Sequence, residues 1–532
     1  MNTMSLTTES FLNAAGREVP AEINGRKAIP YQGVGMYQPD GRRAAPRISS
    51  CANFPADGNK LVAAKGDMVA RLKVALDHAG LRDGMTISTH HHFRNGDLVA
   101  NAVFDAANEL GVKKLRWVPS ASFPCHAHLL KYLEDGTINH IEGSMNGPLG
   151  DFCSLGKMRG MGVLRSHGGR YQAIQDGEVE IDITVIAAPT ADSFGNATGD
   201  RGPSACGLLG FALADSEYAK HVIVVTDNLV AFPCLPWQIQ GQRVDQVVLV
   251  EQVGIPEKIV SGTTVVTRSP ERLLIAEHIA DFVRDSGILR PGFSFQAGAG
   301  GISLAFAMFL KERMKAASVK AGFVRGGSNQ YLVEMLEEGL TPVILDGQTF
   351  DLEGVRSMAE NPGHQHTSPF TSYNYHGKGN FSSMIDVVVL GATEVDVNFN
   401  ANVVTHSDGR LLHGIGGWQN CLFAKCTVLA VPSVRDRIPV VVDNVTTLVG
   451  PGELIDVVAT EHGLCINPNR TDLLDAMSGS RVPLLDIREL KSYLDRLCGG
   501  APAKPELGEE FVAAIQWVDG TTIDGVRRVK SG

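Results

Sequence analysis

The stretch AGFVRGGSNQYLVEMLEEG, residues 321–339, decides how the rest of the sequence is read. A short apolar run ends at Arg325, Gly326 and Gly327 follow, then Ser328 and Asn329, and a helical pattern opens at Tyr331. A run of strand length turning into a helix through two glycines is the corner of a βα unit. Glycines at such a corner mark a place where something approaches the backbone closely. No acidic side chain stands there to act on whatever approaches.

The same grammar extends in both directions. MVARLKVALDHAGL (68–81) and LVANAVFDAANELGV (98–112) have helical spacing, and MTISTHH (85–91) and KLRWVPSA (114–121) read as strands. IDITVIAAP (181–189), HVIVVTD (221–227) and QVVLVEQ (246–252) are short continuous apolar runs, as buried parallel strands are. RLLIAEHIADFVRDS (272–286) is an amphipathic helix. A second cycle starts near 292 with GFSFQAGAGG (292–301), a strand and glycine turn, and ISLAFAMFLKERMKAA (302–317), a helix. TPVILDG (341–347), IDVVVLGA (385–392), CTVLAVPS (426–433) and VVATEHGLCI (457–466) complete it as strands. This alternation predicts an α/β fold with mainly parallel sheets. The chain has 532 residues, too many for one core. The expected division is an extended, Gly- and Pro-rich N-terminal arm (1–64), one α/β domain (65–285) and a second (286–532), alike in grammar but not in residue identity. The polar segment 361–384, NPGHQHTSPFTSYNYHGKGNFSSM, has no period, and loops of that length are often functional.

Composition narrows the function class. A net charge of −10 argues against a nucleic-acid binder, yet a few local arginines can still serve an anionic substrate. Nine cysteines with no C-x-x-C pair read as reduced thiols of a cytoplasmic protein. The N-terminal MNTMSLTTESFLN lacks the basic and apolar regions of a signal peptide. No run approaches the roughly 18 apolar residues of a membrane span.

Two glycine turns are the main site candidates. In FQAGAGGISLAF (295–306), Gly298, Gly300 and Gly301 stand between a strand and a helix, where backbone N–H groups can hold an anion or a developing oxyanion. The spacing is not G-x-G-x-x-G, so it is not a dinucleotide loop. LHGIGGWQNCLF (412–423) repeats the device with Gly414, Gly416 and Gly417. Close helix–strand packing is the alternative for either turn alone. His90, His91 and His92 cannot all face one metal from an extended strand, so substrate contact is the better role and no metal site is expected. His364 and His366 lack a cysteine or carboxylate partner and read as solvated loop histidines. Ser154, Ser328 and Asn329 are not in a G-x-S-x-G elbow, which excludes a serine hydrolase.

At these residues the chain becomes familiar. FQAGAGG (295–301), AGFVRGGSNQYLVEMLEEG (321–339), TEVDVNFNANVVTHSDG (393–409), GIGGWQNCLFAKCTVLAVPS (414–433) and VTTLVGPGELIDVVATEHG (445–463) resemble the CoA-transferases of the acetate and 4-hydroxybutyrate type. With RISSCANFPADGNKLV (47–62), STHHHFRNGD (88–97) and GDRGPSACGLLGFALADSEYAKHVIVVTDNLV (199–230), nearly the full length is similar to the citrate lyase alpha chains. The resemblance implies two CoA-transferase-type domains with the active site between them. It implies exchange of acetate for citrate on a carrier thioester, in a complex with a beta chain that cleaves citryl thioester and a gamma chain, an acyl carrier protein bearing a CoA-like arm. It implies no covalently bound cofactor, with a CoA-type thioester as substrate, and an oligomer without nucleic-acid or membrane partners.

One departure stands out. The covalent CoA-transferases carry an attacking glutamate at the position that falls on Gly326 here, or on Gly327 one residue along. A carboxylate of citrate is then expected to attack the acetyl thioester itself, with Arg325 as its clamp, His90–His92 as weaker ones, and residues 326–329 lining the approach. The rivals are a covalent transferase using another glutamate such as Glu334 or Glu394, a non-catalytic scaffold chain, and a sugar-phosphate isomerase.

Overall fold

The computed structural model describes residues 8–34, 55, 57–260, 265–298, 300–373 and 380–530. Much of the expected arm and most of the 47–62 match lie outside the described residues, as do Ala299 and residues 374–379.

Two parallel sheets carry the chain. The first has the order Ile138–Ile141, Leu115–Trp117, Thr86–Ser88, Ile183–Ala188, His221–Thr226, Gln246–Leu249, parallel throughout. In the second, Ser294–Ala297 lies centrally; Phe323–Ser328, Ile344–Thr349 and His364–His366 extend to one side. Val387–Leu390, Thr427–Ala430, Val457–Thr460 and Gly463–Ile466 extend to the other. In both sheets the chain starts in the middle, winds out to one edge, then returns and winds to the other. Such doubly wound sheets have a switch point where the direction reverses, and ligands bind outside the carboxyl ends of the strands there. The run 457–466, expected as one strand, is instead two strands paired antiparallel, because the chain turns back at Glu461–His462.

The likeness of the two halves extends to side chains. Asp182, just before Ile183–Ala188, accepts the Thr86 N–H and pairs with Lys220. Asp386, just before Val387–Leu390, accepts the Ser294 N–H and pairs with Lys425. Asp192 accepts N–H groups from Phe194 and Asn196, and Asn196 accepts the Gly241 N–H. Asp396, Asn398, Asn400 and Gly452 repeat that arrangement. Buried backbone donors need partners, and each half supplies them with the same residue types at matching places.

The halves are bound into one body. A continuous apolar core joins Phe104, Trp117, Ile186 and Val224 of the first half to Val388, Trp418 and Leu429 of the second. A second core lies wholly within residues 275–482. The segment after Leu507, which chain position places with the second half, returns to the first. The Leu507–Gln516 strand pairs in parallel with Gly162–Leu164 and antiparallel with Thr522–Val529. The described arm packs on this hairpin, where Asn13 Nδ2 donates to the Ile523 carbonyl at 2.6 Å. Among the described residues no helix is long and apolar enough to cross a membrane.

Candidate active site

The second switch point lies between Ser294–Ala297 and Val387–Leu390. The glycine turn 298–301 leaves the first of these strands, and Gly391 leaves the second. The Trp418 indole donates to the Gly391 carbonyl at 2.7 Å, which draws the second turn, 416–417, to the same place. The 416–417 turn is therefore tied to Gly391 at the same switch point that the first turn leaves.

Their glycines do different work. The Gly298 N–H donates to the Val389 carbonyl at 2.9 Å, so Gly298 is withdrawn as an oxyanion donor. A Cβ on Gly301 would sit 3.0 Å from the Thr267 nitrogen and the Val265 carbonyl, so this glycine serves close packing. Gly300 has φ +152° and open space around its Cβ direction, and it opens the helix Gly301–Ala317 without a side-chain cap. Gly416 has φ +64°, accepts the His167 N–H at 2.8 Å, and turns its Cβ direction toward His167 Nε2, 3.8 Å away. A Cβ on Gly417 would lie 2.9 Å from the Tyr373 hydroxyl. Gly414 abuts Ser144, with which a Cβ would collide.

Arg325 lies on the strand beside Gln296 and is fully buried. Its Nη1 donates to Gln296 Oε1 at 2.7 Å and to the Tyr373 hydroxyl at 2.9 Å, and its guanidinium lies 4.4 Å from the Tyr373 ring centroid. Gln296 Nε2 in turn donates to Cys421 Sγ at 2.8 Å, whose thiol is pushed up to about 11 by burial. The other edge of the guanidinium, Nε and Nη2, has no hydrogen-bond partner, and among the described residues no carboxylate pairs with it. A buried cation without a counter-charge is costly, and an anion is the ligand chemistry that would offset that cost here. Gly347 borders it: a Cβ there would come within 3.4 Å of Nη2.

The corner after Arg325 differs from expectation. Gly326 has φ +126°, and its Cβ direction points at the Ala297 carbonyl, 2.8 Å away; on Gly327 a Cβ would collide with the Phe350 ring. Close approach at this corner is by the protein itself, and neither position has room for a glutamate. Ser328 donates its hydroxyl to Asp346 at 2.7 Å, and Asn329 caps the helix Gln330–Glu337 by accepting the Tyr331 N–H at 2.9 Å. The polar groups of both residues are engaged in the fold.

The histidine run stands at the first switch point, which is closed. His90 Nε2 meets Asp215 at 2.9 Å, and Arg170 grips the same carboxylate with two bonds. His92 donates to the Ala187 carbonyl at 2.7 Å, and burial lowers its pKa to about 4. Both rings are held by partners within the first half. His91 meets Ser120 at 2.7 Å, stacks on His167 at 5.3 Å and packs on Phe211 at 4.4 Å, all of the first half, and lies beside Gln348 of the second. Burial lowers the pKa of His91 and takes that of His167 down to about 3, so both are neutral imidazoles rather than cationic clamps. His364, expected in solvent, is buried and bonded to Ser357; His366 is exposed.

The rival glutamates are engaged elsewhere. Glu334 pairs with Lys311 at 2.6 Å, and Glu394 is held by Asn402 and Thr446. Among the described residues no group of three His, Cys, Asp or Glu side chains is placed to hold a metal ion. Sequence reasoning missed Gln296, Tyr373, Cys421 and His167. Tyr373 lies in the unperiodic segment 361–384, whose length was its only signal.

Comparisons with known proteins agree with this architecture. The citrate lyase alpha subunit family matches residues 65–529. The citrate lyase alpha chain of Escherichia coli is 38% identical over 92% of this chain and 96% of its own length. That of Klebsiella pneumoniae is 40% identical over 86% of this chain and 91% of its own. The solved alpha subunit of citrate lyase from Streptococcus mutans, in complex with citrate, superposes with a TM-score of 0.91 at 38% identity, covering 98% of this chain and all of that one. The malonate decarboxylase alpha subunit of Acinetobacter baumannii shares the fold alone, at 15% identity and a TM-score of 0.59. With its two doubly wound halves and a switch-point site between glycine turns, the chain belongs to the citrate lyase alpha subunit family.

Proposed function

We propose that this chain exchanges acetate for citrate on a thioester, without passing the acyl group through the protein. The observation that carries the reading is Arg325: a buried guanidinium with an unpartnered edge, at a switch point flanked by two glycine turns, and no free carboxylate at the corner. A relative solved with citrate supports citrate as the anion.

A carboxylate oxygen of citrate, aligned by Arg325, bonds to the acetyl carbonyl carbon while the carbonyl π pair moves onto oxygen. That pair returns as the C–S bond breaks, leaving an acetyl–citryl anhydride and a thiolate. The thiolate then bonds to the citryl carbonyl carbon, and acetate leaves with the C–O electron pair. No net proton is exchanged, so the chain has only to align the reactants and stabilise two oxyanions. Gly300 and Gly416 are the turn positions suited to the second task. The thioester is a substrate, CoA or the prosthetic arm of the gamma acyl carrier chain, and the citryl product passes to the beta chain.

The test is to incubate the purified chain with acetyl-CoA and citrate and to follow citryl-CoA and acetate by mass spectrometry. Stoichiometric appearance of both is expected. No citryl-CoA would leave the scaffold reading standing. Among the described residues no unengaged carboxylate beside Arg325 favours a covalent glutamyl route.

A further inference from the structure

We propose that Tyr373 is a catalytic hydrogen-bond donor, its hydroxyl contacting the acyl oxygen on which charge develops; the inference rests on the transfer reading above. Arg325 Nη1 donates to the phenol oxygen at 2.9 Å, which occupies an acceptor site; the O–H proton faces the Cys421 sulfur, a weak acceptor that a developing oxyanion would outcompete. The guanidinium stacked 4.4 Å from the ring centroid fixes the ring and polarises the O–H bond. The hydroxyl lies where a Cβ on Gly417 would be 2.9 Å away, so phenol and glycine turn converge on one point. Tyr373 is half-buried, whereas its partners Arg325 and Gln296 are buried. Burial also keeps the phenol protonated at neutral pH.

The tyrosine keeps its proton throughout. As citrate oxygen bonds to the acyl carbon, the carbonyl pair moves to oxygen and the Tyr373 hydrogen bond shortens; when the C–S bond breaks, the pair returns and the bond relaxes. A hydroxyl that merely steadied Arg325 would act on citrate binding instead. The two roles divide kcat from KM.

Tyr373→Phe keeps the ring and removes the hydroxyl. The expected result is a fall in kcat for citryl-CoA formation of roughly 10²–10³, the usual effect of losing one oxyanion donor, with citrate KM nearly unchanged. A raised citrate KM at wild-type kcat, or no change in either, overturns the proposal. Difluorotyrosine at position 373, in a chain that retains its wild-type shape, provides a second readout. Its more acidic phenol is expected to move the alkaline limb of the kcat profile to lower pH, and an unmoved limb overturns the proposal. Wild-type chain is assayed alongside. An inactive wild type refutes the transfer reading and this inference together, whereas an active wild type with an equally active Tyr373→Phe refutes this inference alone.

Discussion

Replacing Arg325 by methionine removes the guanidinium while nearly keeping the volume of a fully buried side chain. The lost edge, Nε and Nη2, offers a carboxylate two charge-assisted bonds in one plane. Hydrogen bonds to charged groups contribute about 1.5–3 kcal/mol, and every 1.4 kcal/mol is about tenfold in affinity. For the two bonds together citrate KM is therefore expected to rise about 10²–10⁴-fold, while the acetyl-CoA KM changes little. Stability should move the other way or hardly at all, because an uncompensated buried charge is replaced by apolar volume. Against that stand the single bonds to Gln296 and Tyr373, neutral groups, each worth about 1 kcal/mol. The assay is initial rates of citryl-CoA formation with one substrate varied and the other saturating, paired with melting curves with and without citrate. Citrate should raise the wild-type midpoint and leave that of Arg325→Met unmoved. Equal rises in both KM values, or an unchanged citrate KM in a folded variant, would refute Arg325 as the citrate clamp.

Gly300→Val and Gly416→Val are each expected to lower kcat by roughly 10²–10³ in a folded protein. At φ +152° and +64° a β-branched residue is strained, and at 416 it also grows toward His167. Wild-type kcat in both, measured beside circular dichroism, removes the turns from the site. Acid stability should follow His92. Unfolded, it takes up a proton near pH 6.5; folded, not until about pH 4. Between these values the unfolded chain binds more protons, so the His92 contribution is full above about pH 6.5 and declines by about 3 kcal/mol as pH falls to about 4, and His91 and His167, lowered by burial too, add to the loss. Urea midpoints across that range check it, and His92→Gln, which keeps a donor to Ala187, should lessen the decline by the His92 share while His91 and His167 keep theirs.

The fold was legible because both halves write buried parallel strands as continuous apolar runs, and glycine turns mark where the chain leaves them. The candidate turns at 300 and 416 were legible because backbone sites need glycine, and Arg325 was legible as a cation on an apolar strand, where the fold buries it. What the residues hid was division of labour. Gly298, Ser328 and Asn329 look like site residues in a string, but their polar groups are spent on Val389, Asp346 and the helix after 329. His90–His92 occupy the matching place in the first half, where an Arg170–Asp215–His90 cluster closes what the glycines leave open in the second. The repeat escaped notice because its shared residues, Asp182 with Asp386 and Lys220 with Lys425, are scattered anchors of strand ends, not a motif. Tyr373 was out of reach because its partners come from three distant segments.

The account claims above all that the acyl group passes directly between bound small molecules. Intact mass and activity measured on one sample test it. The chain is incubated with acetyl-CoA, treated with borohydride, which reduces an enzyme-bound glutamyl thioester, and assayed with fresh acetyl-CoA and citrate. Unmodified mass with full citryl-CoA formation is the predicted result. A CoA-mass adduct before reduction, or permanent inactivation after it, with the modified glutamate mapped to Glu334, Glu394 or any other position, would contradict the account.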